Sequence, residues 1–105
     1  MRAGKLRHVI RLERATVTPD AYGTPVEVWA TLATLRAEKV REGMAEKTEA
    51  TAGARELVAM VWRVRALPGL TLADRVLWNG AAYNLTAIDE ADAGRGLELH
   101  CEAAG

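Results

Sequence analysis

The chain has 105 residues, enough for one domain, and half of them are hydrophobic, so a folded core is expected. Lysine plus arginine number 14 and aspartate plus glutamate number 14, a formal balance of zero that excludes nucleic-acid binding by bulk charge and an acidic disordered tail. The single cysteine excludes an internal disulfide, and no apolar run reaches the roughly 18 residues of a membrane-spanning helix. The opening Met1–His8 lacks the apolar stretch of a signal peptide, so neither secretion nor membrane association is expected. Phenylalanine is absent and alanine frequent, which leaves Trp29, Trp62, Trp78, Tyr83 and Tyr22 to supply much of the core volume. A core this thin leans on a partner for stability.

The apolar period is mostly two. Ile10 and Leu12 alternate with Arg11 and Glu13, predicting a strand over about residues 8–18. Asp20-Ala21-Tyr22-Gly23-Thr24-Pro25 is a turn cluster. From Val26 to Val40, Val28, Trp29, Thr31 and Thr34 favour a strand, while Val28, Leu32 and Leu35 also fit helical spacing; a bulged strand is the reading adopted. Residues 41–56 carry one large apolar side chain, Met44, among charged and small residues, with Gly43 and Gly53 near the ends. This composition predicts a long exposed loop with a helical turn through Ala45–Ala50 and the two glycines as hinges.

The strand signal returns with Val58, Met60, Trp62 and Val64, and Pro68-Gly69 ends it. Thr71–Asp74 reads as a short capped turn. Asn79-Gly80, between Val76-Leu77-Trp78 and Ala81–Leu85, is a strong hairpin signal, because both residues tolerate positive φ. Asp89–Gly96 reads as a further connection, and in the last strand Leu97, Leu99, Cys101 and Ala103 face inward. The expected fold is mainly β: one domain over residues 1–105, a small antiparallel barrel or sandwich with one long loop between the second and third strands.

Chemistry is sparse. His8 and His100 have no visible constellation and read as strand residues. Cys101 and His100 are strand neighbours that point opposite ways, so they do not share a metal, and Cys101 reads as a small core hydrophobe. Gly94-Arg95-Gly96 lacks the helix and third glycine of a phosphate loop. Arg63 and Arg65, on the outward face, could meet phosphate or only solvent or a subunit. No catalytic residue, cofactor or metal is expected. The charge is segregated, basic over residues 1–14 and acidic over 84–105, which suits pairing within one fold or head-to-tail association of copies.

These motifs, in order, resemble the phage head–tail joining proteins, also called head-completion or stopper proteins. The resemblance is carried by Met1-Arg2-Ala3-Gly4-Lys5-Leu6-Arg7-His8, Asp20-x-Tyr22-Gly23, Trp29, Trp62-Arg63-Val64-Arg65 with Pro68-Gly69-Leu70, Arg75-Val76, Asn79-Gly80 with Tyr83-Asn84-Leu85, and Leu97-Glu98-Leu99-His100-Cys101. It implies a non-enzymatic neck protein of a tailed phage or gene transfer agent, assembled in the bacterial cytoplasm. It further implies a homo-oligomeric ring of about six or twelve copies, joining the portal or adaptor of a DNA-filled head to the tail terminator or tail tube. The segment matching the family's channel loop is 41–56, where Arg41, Glu42, Glu46, Lys47, Glu49 and Arg55 would form belts of charge touching double-stranded DNA non-specifically and helping to retain it. Arg2, Lys5, Leu6 and Arg7, within residues 1–7, match the docking arm. The alternatives are a tail-terminator or minor tail protein, and, in another class, a stand-alone nucleic-acid-binding barrel. The second would want a basic, aromatic sheet face, which a balance of 14 against 14 disfavours.

Overall fold

The computed structural model describes residues 3–49 and 53–103, with 44–49 and 53–57 described by their backbone pairing. A short 3₁₀ turn, Ala3–Lys5, leads into six antiparallel strands: β1 (His8–Pro19), β2 (Pro25–Glu49), β3 (Gly53–Arg65), β4 (Arg75–Trp78), β5 (Ala81–Ala91) and β6 (Gly96–Ala103). They hydrogen-bond in the order β1-β2-β3-β6-β5-β4, and β4 pairs back onto β1 to close the barrel. Closure removes the sheet edges that a six-stranded open sheet would expose.

Three bulges bend the sheet. Leu32 is the extra residue of β2 against β1, Val40 the extra residue of β2 against β3, and Thr86 the extra residue of β5 against β6. Each sharpens twist and re-aims the strand, as a small barrel requires. The first bulge adjoins Leu12 and Glu13, consecutive residues that are both buried. The expected bulged strand is therefore present, and it is longer than expected.

The interior is filled by Ile10, Leu12, Ala37, Met60, Trp62, Val64, Val76, Tyr83, Leu85, Leu99 and Cys101. Trp62 is fully buried at its centre, with Trp78 packed edge-on against it at 5.2 Å and partly exposed. Two of the expected core aromatics lie elsewhere. Trp29 is half-buried outside the core cluster, its ring covering the Arg75 guanidinium at 3.9 Å. Tyr22 is 94% exposed, because its turn lies beyond the last residues of β1 that pair with β4.

Among its described residues the segment 41–56 is strand, neither a structureless loop nor helical. Arg41 through Glu49 pair in unbroken register with Gly53 through Val61, so the excursion is a β-hairpin; Ala50 lies outside the described residues. Gly43 and Gly53 are paired strand positions rather than hinges at loop ends. Backbone hydrogen bonding between two antiparallel strands needs no apolar core, so a composition unfit for packing still supports a ribbon. Similarly, Asp89–Ala91 continue β5, and the connection to β6 is only the tight 3₁₀ turn Asp92–Gly94 with Arg95.

The two ends of β2 thus leave the barrel. From Arg14↔Ala30 to Pro19↔Pro25, and from Met44↔Val58 to Glu49↔Gly53, the strands pair only as two-stranded ribbons. At about 3.3 Å per residue each ribbon reaches about 20 Å. The radius of gyration, 15.6 Å, exceeds the roughly 13 Å of a compact chain of this size.

Candidate functional site

Polar side chains around the barrel are used in pairs between neighbouring strands. Arg14 donates from Nε and Nη2 to the two Asp74 carboxylate oxygens at 2.8 and 2.9 Å, and Nη2 also donates to the Gly69 carbonyl at 2.6 Å. Asp74, 1% exposed, accepts in addition from the Thr71 amide at 2.9 Å. The hydrogen bonds from Arg14 hold the Asp74 carboxyl below the usual carboxylate range, against the opposing effect of burial. This junction ties β1 to the connection between β3 and β4, where the expected capped turn is found.

Arg63 bridges Glu98 on β6 at 2.5 Å and Glu38 on β2 at 3.7 Å, and its hydrogen bond lowers the Glu98 pKa. Its charge is therefore committed within the sheet rather than presented to phosphate. Arg75 donates to Glu13 at 2.9 Å beneath the Trp29 ring, which explains both the burial of Glu13 and the position of Trp29. Lys39 lies over Trp78 at 4.2 Å and pairs with Glu42 at 3.3 Å. His8 packs edge-on to Trp62 and Trp78, and His100 pairs with Asp89 at 3.1 Å. Cys101 is buried, and loss of solvent pushes its thiol up to about 11. Among the described residues no group of three His, Cys, Asp or Glu could hold a metal ion. No helix among the described residues is long and apolar enough to cross a membrane.

The residues singled out from sequence fall into two places. Lys5 and Arg7 are exposed beside β2, whereas Leu6 between them is 4% exposed and anchored on its own barrel rather than free for docking. Arg2 lies outside the described residues. Arg41 and Glu42 are exposed at the root of the β2–β3 ribbon. Glu46, Lys47, Glu49 and Arg55 are register positions along it, opposite Glu56, Arg55, Gly53 and Lys47 respectively. The structure thus gathers the second group on one projecting element. Sequence reasoning missed the equivalent projection of the β1–β2 ribbon. Its signal was Val17, Val26 and Val28 flanking a polar turn, a pattern indistinguishable from that of a half-buried hairpin.

Among the described residues many of the barrel's polar side chains are paired between strands, and two ribbons extend beyond the closed sheet. The match to the phage head completion protein family covers residues 1–104. The chain belongs to that family, whose members are structural proteins of the virion. Three solved structures share the fold. A chain in the virion of a native gene transfer agent particle is 19% identical with a TM-score of 0.71, covering 92% of this chain and 93% of that one. Protein SF1141 from Shigella flexneri 2a is 19% identical with a TM-score of 0.69, covering 100% and 98%. The phage-like element PBSX protein xkdH from Bacillus subtilis is 10% identical with a TM-score of 0.53, covering 91% and 92%. No curated protein sequence matches the chain.

Proposed function

We propose that this chain is one subunit of a ring at the neck of a phage or gene-transfer-agent particle, set between the portal or adaptor and the tail. The β2–β3 ribbon turns toward the bore and helps retain packaged DNA. The observation that carries this reading is the ribbon itself: in a head completion protein, residues 44–49 and 53–58 pair only with each other. A two-stranded ribbon is marginal alone in water. The register places Glu46 opposite Glu56 and Lys47 opposite Arg55, and like charges directly opposite each other weaken a strand pair. Such an element is retained for what it meets outside the subunit. In a ring each of its charges is repeated by the copy number, so a neutral chain lines a charged bore that contacts the DNA backbone without reading its sequence.

The test replaces residues 45–57 with Asn-Gly, closing the hairpin at the Met44↔Val58 pair and leaving the barrel register intact. Particles carrying this chain are expected to assemble heads that lose packaged DNA, measured as nuclease-protected DNA per head. Wild-type retention would reject the gating role.

A further inference from the structure

Tyr22 is the most prominent feature of the β1–β2 ribbon and has no role in its own fold. Its turn is rigidly built: Asp20 Oδ1 accepts from the Tyr22 and Thr24 amides at 2.8 and 2.9 Å, and Gly23 takes φ +79°. Val17, Val26 and Val28 behind it are exposed as well. From Ala15 to Ala30 the charged residues are Asp20 and Glu27, and no cation is present. Elsewhere on the same molecule a hollow of about 440 Å³ is lined by Leu6 and Leu35 together with Arg36 and Arg65. Among the described residues neither arginine has an ion-pair partner.

One surface is convex, apolar and acidic; the other is concave, apolar and basic. They cannot meet within one chain. The run from Pro25 to Arg36 is extended strand, which at about 3.3 Å per residue sets the turn about 35 Å from the hollow. We propose that Tyr22 of one copy seats in the Leu6–Leu35 hollow of the next, its ring against the Arg36 and Arg65 guanidinium groups and Asp20 and Glu27 beside them. Aromatic anchors flanked by arginine are the residue types that dominate interfaces. Because donor and acceptor patches differ, the contact is head-to-tail, the kind of interface that a closed ring repeats. This inference rests on the ring reading above and names the contact that makes the ring.

The test is a pair of substitutions, Tyr22→Cys and Arg36→Cys, introduced together in the full chain during particle assembly, followed by mild oxidation. Cys101 is buried and stays out of the reaction. A ladder of cross-linked multimers on denaturing gels, absent from either single variant, is the expected result. In parallel, Tyr22→Ala should reduce incorporation of the chain into necks at least tenfold, while Tyr22→Phe restores it. Rings visible at the neck with no ladder and normal incorporation of Tyr22→Ala would overturn this contact and leave the ring standing. Cross-links from position 22 to another neck protein would overturn it in favour of that partner. Necks holding a single copy of the chain would overturn the ring reading and this contact with it.

Discussion

Trp62 shows how one side chain organises this core. It is fully buried, meets Trp78 and His8 edge-on, and its strand is bonded on both sides, to Lys39 across β2 and Leu99 across β6. Trp62→Ala is expected to destabilise the fold by about 3–5 kcal/mol, read by denaturant unfolding; an effect below about 1 kcal/mol would mean that the cavity refills. Asp74 has a different role. Burial opposes its charge, yet the Arg14 hydrogen bonds outweigh that opposition and lower its pKa, and Glu98 is lowered by Arg63 in the same direction. A carboxylate with a depressed folded-state pKa adds stability that is complete above its unfolded value, about 4, and is lost as pH falls through the lower folded value. Thermal unfolding is therefore expected to be flat from pH 8 to about pH 5 and to fall steeply below about pH 4. Asp74→Ala should cost about 1.5–3 kcal/mol at neutral pH and flatten that acid limb.

At the scale of elements, what could be read from sequence was whatever a local rule dictates. Asn79 and Gly80 take φ of 53° and 79°, and the turn they form joins β4 to β5 at the Trp78↔Ala81 pair, as the Asn-Gly signal predicts. Gly80→Ala places a Cβ in that left-handed region and is expected to cost about 1–2 kcal/mol, measurable as a lowered midpoint with an unchanged denaturant slope. The strand alternation at Met60, Trp62 and Val64, and at Leu99 and Cys101, was legible for the same reason: each residue is chosen by the face it occupies. Ribbons obey no such rule. Residues 44–49 and 53–58 pair only with each other, outside the closed sheet, so no core face imposes an alternation there and the pairing is invisible in composition. Trp29 misled for a related reason. An indole suits a core, but this one covers the Arg75–Glu13 pair on the barrel flank, and no local pattern distinguishes the two uses.

For the whole molecule, the arrangement around β2 is what links fold to assembly. One strand runs from a ribbon whose tip is apolar and acidic, through the barrel wall, to a second ribbon, so the two proposed contacts, with a neighbouring copy and with DNA, would be carried on one continuous element. We propose the basic N-terminal segment as a third contact, toward the head, and its anatomy changes how that must be tested. Removing residues 1–7 would withdraw Leu6, which is 4% exposed, and would confuse lost docking with lost stability. Lys5→Glu with Arg7→Glu alters exposed residues only, apart from the bond from Arg7 Nε to the Gly4 carbonyl at 3.3 Å. The double variant is expected to unfold within about 0.5 kcal/mol of the parent. It should nonetheless co-sediment with portal-bearing heads at least tenfold less well, an effect that grows as salt is lowered because opposed surface charges are then less screened. Undiminished co-sedimentation at low salt would show that the head is gripped elsewhere on the barrel, and would leave the buried Leu6 as the reason this basic segment lies against β2.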